Sequence, residues 1–433
     1  MAERAQQLAE ELTETRARTL ALVRGLDSAT LEAVHSTLLS PLVWDLAHIA
    51  CFEDLWISRA AGAPALRPEL FATYDAVETP RSRRGELELL AAGETFAHMA
   101  SVRSRTEALI GQIAPNRLDL VELALCHEQQ HNETMLQLLA LARLPNPFAR
   151  ALAPGPGAAG GGRDPAVDPA AAQGGLELVE LPGGRVTIGA GLEPGYAYDN
   201  ERPAHVRELR AFRLARTPAT NADWLDFMDA GGYQRRELWS AEGWQWRLSE
   251  GIERPLHWTE DGRQWRLGEL VDIDLDLPAV HVSWFEADAF AAFHCLRLPT
   301  EFEWELAATV DPAAGVRSPF PWGAEPVSRA RANVDQIAGG PAASGSFDGT
   351  TPTGLRSLIG DVWEWTASWF HGYPGFAAYP YRGYSEPFFG ERYRVLRGGS
   401  WATRPRVASA TFRNWDFPQR RQIFAGVRLA GDA

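Results

Sequence analysis

Two histidines four residues apart, His127 and His131, lie in Cys126-His127-Glu128-Gln129-Gln130-His131-Asn132-Glu133. Apolar residues recur at helical spacing around them (Leu123, Leu125, Met135, Leu138, Leu139) and predict a helix over 121–142. Positions i and i+4 share one helix face, so both imidazoles are placed to share one metal ion. His48 is the candidate third ligand. It sits mid-helix among Trp44, Leu46, Ile49 and Phe52, where a histidine needs a partner to offset burial. Bundle cores build metal sites from facing helices. Three neutral imidazoles suit Fe, Zn, Cu or Ni and leave positions open for exogenous ligands. The plainer alternative makes His48 a core histidine bonded to backbone.

The same segment also reads literally as H-E-x-x-H, the zinc-hydrolase pattern in which Glu128 would be the general base. That pattern needs a further ligand downstream. No histidine follows at metzincin spacing, and the chain runs into Gly, Ala and Pro rather than a second helix bearing a carboxylate. Cys126 adjoins His127 but faces another side of the helix, so it reads as packing.

The elements that must position these residues follow from the rest of the chain. At 433 residues it is long enough for two domains. A net charge of −14 argues against nucleic acid or an anionic membrane surface as partner. Three scattered cysteines (Cys51, Cys126, Cys295) make no disulfide framework, and no signal-peptide core or membrane-length apolar run is present, so a reducing cytoplasm is expected. Four helices are expected before residue 150: 3–24, a second from Ser40 (N-cap) and Pro41 (first helical residue) to about 60, 86–113 with a break near Gly93, and 117–143. Together they make an antiparallel bundle. Residues 151–175 are Gly, Ala and Pro with almost no bulky apolar side chain and read as a linker. From 176 the character changes to short β-rich runs (178–181, 185–189) between turns, with short helices at 221–228 and 284–293. Fourteen of the 16 tryptophans fall from Trp224 onward, which points to an irregular, aromatic-stabilised α+β domain.

Ser40-Pro41-Leu42-Val43-Trp44-Asp45-Leu46-Ala47-His48, together with His127-Glu128-Gln129-Gln130-His131-Asn132-Glu133, resembles the DinB-like bundle of the non-haem iron sulfoxide synthases of the ergothioneine pathway. The C-terminal part resembles the formylglycine-generating-enzyme (sulfatase-modifying-factor) fold, a C-type-lectin-like variant. It does so through Leu181-Pro182-Gly183-Gly184, Asn200-Glu201-Arg202-Pro203, Leu298-Pro299-Thr300-Glu301-Phe302-Glu303-Trp304-Glu305, Pro321-Trp322-Gly323, Gly360-Asp361-Val362-Trp363-Glu364-Trp365-Thr366 and Arg397-Gly398-Gly399-Ser400-Trp401. The resemblance spans nearly the whole chain. It implies a DinB-like iron-binding bundle over 1–150, the linker at 151–175, and a substrate-binding and catalytic domain over 176–433.

Functionally, the resemblance implies Fe(II)- and O2-dependent joining of the γ-glutamylcysteine sulfur to C2 of the hercynine imidazole, giving a sulfoxide. His48, His127 and His131 then hold the iron. Asn414 and Trp415 meet hercynine, with Gln130 and Tyr384 near its trimethylammonium; such a group donates no hydrogen bond, so rings and amide oxygens suit it. Asp416 pairs with the amino group of γ-glutamylcysteine, and Arg81 and Arg84 with its carboxylates; Arg420 lies in the same motif. Tyr381 falls where the family has its catalytic tyrosine, and Tyr373 and Tyr379 are rival placements. Read without the resemblance, Arg81, Arg83 and Arg84 are an ordinary solvated cluster. Trp363, Trp365 and Trp401 read as core, and Asp361 with Glu364 only weakly as a calcium site. From Gly399 onward there is no cysteine, so the thiol chemistry of a formylglycine-generating enzyme is absent and the fold remains as scaffold. Two other functions stay open: the same fold using free cysteine or a selenium donor, and a non-catalytic lectin-like binding protein.

Overall fold

The computed structural model describes residues 2–146, 176–191 and 196–433. The linker expected at 151–175 lies outside the described residues. The chain divides into two compact units, Met1–Ala151 with Leu267–Glu269, and Leu152–Arg266 with Leu270–Ala433. Among the described residues no helix is long and apolar enough to cross a membrane.

The first unit is helical: α1 (Ala2–Leu22), the short α2 (Ser28–Glu32), α3 (Leu42–Ala61), α4 (Ala92–Ile110) and α5 (Asp119–Leu141). Helix α3 packs against α4 and α5, and α1 against α5. Buried residues cover α3 all round, which marks it as the central helix of the bundle. It ends at Gly62 in the left-handed region (φ 69°), a stop that glycine adopts without steric cost. Two expectations are corrected here. Pro41 is the N-cap rather than the first helical residue, because the Ser40 hydroxyl expected to cap the helix accepts from Arg84 instead. The helix expected from 86 starts at Ala92; residues Arg81–Glu86 form a separate 3-10 turn.

One buried ionic network joins the four long helices. Arg16 of α1 bonds Glu128 of α5 (2.7 Å) and Glu53 of α3 (2.8 Å). Arg103 of α4 bonds the same two carboxylates, at 2.9 Å to Glu53 and 3.0 Å to Glu128. Thr19 and Thr106 donate to the remaining positions (2.7 and 2.6 Å). Glu128 is therefore a bundle tie, which removes it from the hydrolase role its motif suggests.

The second unit contains β1 (Leu178–Leu181), β2 (Gly184–Ile188), β3 (His205–Leu209), β4 (Phe212–Ala215), α6 (Asn221–Asp229), α7 (Ala241–Glu250), β5 (Arg263–Arg266), β6 (Glu269–Asp272), α8 (Trp284–Phe293) and α9 (Glu301–Thr309). It continues with β7 (Val310–Asp311), β8 (Val316–Arg317), β9 (Trp363–Phe370), β10 (Gly390–Arg397), β11 (Asn414–Asp416), β12 (Ala425–Gly426) and β13 (Ala430–Asp432). The strands form a three-stranded sheet (β1-β4-β13), a four-stranded sheet (β11-β10-β9-β12) and short two-stranded pairs. Helices α6, α8 and α9 start with capping boxes, Thr220/Asp223, Ser283/Glu286 and Thr300/Glu303. Helices α7 and α9 were not expected. Trp363, Trp365 and Trp401 are core. Gly398 (φ 96°) is required where it stands, because a Cβ there would lie 2.5 Å from the Leu358 carbonyl oxygen.

Burial pushes the Glu53 carboxyl up, but Arg16 and Arg103 outweigh it and hold it at about 2. A carboxyl held low when folded stabilises fully above its unfolded value near ~4.3 and loses that stabilisation as pH falls through about 2. Urea unfolding between pH 5 and 2 should therefore show an acid loss of roughly 3 kcal/mol that Glu53→Gln flattens. Parallel pH profiles for the two proteins would remove the network from this role.

Candidate metal centre

His48 projects from the middle of α3, and His127 and His131 from successive turns of α5. One ring nitrogen from each lies within 4.8 Å of the others. The Nε2 atoms of His48 and His127 are 3.0 Å apart, and the ring centroids are 4.6–4.7 Å apart in all three pairs. Among the described residues this is the one group of three His, Cys, Asp or Glu side chains arranged to hold a metal ion.

The surroundings fix which nitrogens face inward. His48 Nδ1 lies 2.5 Å from the Tyr74 carbonyl oxygen. A carbonyl only accepts, so Nδ1 carries the proton and Nε2 keeps its lone pair. His131 Nδ1 lies 3.2 Å from Oδ1 of Asp45, a carboxylate only 1% exposed on α3, so this Nδ1 also carries a proton and Nε2 is the nitrogen turned inward. His127 is held differently: its ring stacks on Phe52 (3.7 Å, 11°), and among the described residues its buried Nδ1 has no hydrogen-bond partner. Burial, then the neighbouring His131, pushes the His48 and His127 pKa values well below the ordinary histidine value. Three imidazoles converging on one point, two of them with the outer nitrogen on a fixed acceptor, are what a first-row transition metal needs, so these residues fit one.

Above His48 lies a stack. Trp44 is parallel to its ring (4.7 Å, 17°), and the Arg84 guanidinium sits 3.6 Å over Trp44. Arg84 is buried and donates to the Thr79 and Ala76 carbonyls and to Ser40 Oγ. It is not the solvated residue that its basic cluster suggests, and burial lowers its pKa to about 9. Arg81 is partly exposed, Arg83 exposed, and Gln130 half-buried beside His131 on α5.

The other sequence-predicted residues gather in the second unit. Asn414, Trp415 and Asp416 are strand β11, on the edge of the four-stranded sheet beside β10. Trp415 stacks on Phe370 (4.2 Å, 9°) and meets the edge of Tyr384 (6.2 Å, 89°). Tyr381 is next, its ring centroid 6.4 Å from that of Tyr384. Arg420 lies 3.7 Å from Asp416, which also accepts from Gln422 (3.3 Å).

Comparison with known proteins agrees along the full length. Residues 11–135 match the DinB superfamily, and residues 164–433 the sulfatase-modifying factor enzyme 1-like domain. The chain is 45% identical to the hercynine oxygenase of Mycobacterium tuberculosis, covering 99% of each protein. It is 42% identical to that of Mycolicibacterium smegmatis, covering 98% of each. The chain belongs to the hercynine oxygenase family. It is accordingly an enzyme, an oxygenase, with a helical DinB domain followed by an α+β domain of the sulfatase-modifying-factor type. It is also 33% identical to the formylglycine-generating enzyme of Streptomyces coelicolor, over 59% of this chain and 89% of that protein.

The rival tyrosines differ in exposure. Tyr373 is 3% exposed, its hydroxyl donates to Glu301, and burial drives its pKa far above the ordinary phenol value. Tyr379 is half exposed. The calcium reading of Asp361 and Glu364 is corrected. Asp361 accepts from Asn333 and the Ala342 N–H, and Glu364 is taken by Arg428 and Trp304. Two contributors at the metal centre escape sequence reasoning, Asp45 and the Tyr74 carbonyl. The first left a signal, a carboxylate within the apolar opening turns of α3, three residues before a histidine. The second is backbone and left none.

Replacing Asp45 by Asn keeps the size and weakens the acceptor. Divalent-metal affinity should fall about 10–100-fold, read by competition with a chromophoric chelator. Unchanged affinity would show that Asp45 does not orient His131.

Proposed function

We propose that this oxygenase joins hercynine to γ-glutamylcysteine at an Fe(II) centre held by His48, His127 and His131, as a step of ergothioneine biosynthesis. The thiol gives up its S–H, the imidazole its C2–H, and a C–S bond forms between them. One oxygen atom of O2 ends on sulfur as the sulfoxide and the other leaves as water, so atoms and electrons balance. Iron, when bound, supplies a common centre for the imidazole, the thiolate and O2. The reading rests foremost on the three converging imidazoles, two of them with their outer nitrogen set by a fixed acceptor.

In this proposal residues 1–150 supply the metal ligands and residues 176–433 the substrate-binding and catalytic groups. Trp415 and Tyr384 offer ring faces, and Gln130 and Asn414 amide oxygens, to a trimethylammonium that cannot donate hydrogen bonds. Asp416 receives the amino group of γ-glutamylcysteine, with Arg420 as the partner it exchanges. Arg81 pairs with a carboxylate of that substrate, and Arg84 adds a nearby charge while holding its own loop. Tyr381 donates a proton or hydrogen bond that favours C–S bond formation over oxidation of the thiol alone. The partial burial of Tyr381, against the core position of Tyr373, supports that choice.

The test is anaerobic loading with Fe(II), then O2 with hercynine and either γ-glutamylcysteine or free cysteine. Mass spectrometry should find the γ-glutamyl sulfoxide, and iron-loaded protein that makes none would sink the assignment. His131→Ala should lose iron. Arg81→Ala and Asp416→Asn should each raise KM for γ-glutamylcysteine about 10–100-fold, the size of a lost charged hydrogen bond. An unchanged KM in both would show that other residues read the donor.

A further inference from the structure

The segment Tyr198-Asp199-Asn200 touches both ends of the loop that carries Tyr381 and Tyr384. At one end, the Tyr379 N–H donates to Asp199 Oδ2 (3.2 Å). At the other, the Ser385 hydroxyl donates to Asp199 Oδ1 (2.5 Å) and accepts from the Asn200 side-chain amide (3.0 Å). Ser385 therefore donates and accepts at once, which fixes its rotor. Between the two pins, the Tyr198 ring lies flat against Tyr384 (4.6 Å, 4°). Tyr198, Asp199, Asn200 and Ser385 are all buried, whereas Tyr381 and Tyr384 are only partly so. One carboxylate thus grips the loop just before and just after the two partly exposed tyrosines.

The same segment reaches the strand that bears Asn414. Arg413 donates to the Asn200 carbonyl (2.7 Å), Thr411 to the Glu201 carboxylate (2.6 Å), and the Tyr198 ring meets Phe412 edge-on (5.7 Å). We infer that Tyr198, Asp199 and Asn200 are positioning residues, a clamp that sets the tyrosine loop against strand β11 and so fixes where the Tyr381 hydroxyl points. Burying a carboxylate is costly, and a loop that only had to pack is closed more cheaply by an apolar side chain. What a fully partnered carboxylate adds is one defined geometry. Burial raises the Asp199 pKa, which accords with its enclosed position.

The inference rests on the proposed role of Tyr381, and its test separates the two. Arg382, inside the loop, is exposed and is followed by Gly383, so trypsin cleavage there reports loop opening without any reference to activity. Asp199→Ala should speed cleavage at Arg382 at least tenfold, and Ser385→Ala severalfold, with iron content unchanged. In turnover, Asp199→Ala should lower sulfoxide kcat about 10–100-fold, the cost of a small misplacement. It should also divert O2 to oxidation of the thiol, with KM for γ-glutamylcysteine within twofold and partial rescue in Asp199→Asn. Unchanged cleavage overturns the clamp, whatever the activity. Faster cleavage with wild-type kcat and product ratio, while Tyr381→Phe alters both, overturns its positioning role. If Tyr381→Phe alters neither, the reading of Tyr381 fails, and the clamp's positioning role fails with it. Should Asp199→Ala not fold, Ser385→Ala, which removes one hydroxyl, carries the same comparison.

Discussion

Everything at the metal centre depends on the ion pairs that lock the four long helices together. Helix α3 carries both His48 and Glu53, and helix α5 carries His127, Glu128 and His131. Consecutive helical residues point about 100° apart, so Glu128 faces the arginines while His127 faces His48. Both carboxylates are bound by the same pair, Arg16 and Arg103, one from each remaining long helix. A slide of α3 along α5 would separate the imidazoles and would also strip buried charges of their partners. Losing one partner of such a pair costs several kcal/mol, far more than a slide within an apolar core would. The register that brings three imidazole nitrogens within 4.8 Å is thereby set by charges that never touch the metal position.

A second constraint acts on the outer side of His48. Its Nδ1 proton needs an acceptor, and the acceptor is a loop carbonyl, which is only as fixed as the loop. Tyr74 is held by its own hydroxyl, which accepts from the Leu90 N–H (2.8 Å). Arg84 gathers the Thr79 and Ala76 carbonyls and stacks on Trp44, which stacks on His48. A buried guanidinium with no carboxylate among its hydrogen-bond partners is costly to keep charged. Here carbonyls and an aromatic face offset that cost, and the result is a stiff wall behind the ligand.

How far the sequence revealed this follows the range of each interaction. The long helices and the His127/His131 pair were legible because helical periodicity and i,i+4 spacing are local. Asp45 stood in plain view next to Trp44, yet α3 is buried all round, so periodicity offered no face and no hint of its partner on α5. The Tyr74 carbonyl is invisible to any reading of side chains. Thr300-Glu301-Phe302-Glu303 spells a capping box as clearly as Ser283-Trp284-Phe285-Glu286 does, so the start of α9 is written in the sequence by the same pattern that opens α8. The strands were harder. Strand β9 has Trp363, Glu364, Trp365 and Thr366 buried in succession, so it lacks the alternation that betrays a strand.

The ion pairs of the second unit fall into two kinds, and the difference bears on ligand recognition. Arg397, Arg413 and Arg428 are at most 1% exposed and hold Glu305, Glu301 and Glu364 at 2.7 Å. Pulling either partner out would strand a charge in the interior, so no ligand can recruit them. Asp416 and Arg420 stand apart: their side chains are 14% and 16% exposed and 3.7 Å from each other. A looser pair within reach of water has little Coulomb energy to surrender, and an incoming ammonium can replace the arginine at small net cost. The role of Asp416 toward the amino group of the sulfur donor, which the family resemblance implies, accords with this looser pairing, while the better-paired carboxylates serve the fold.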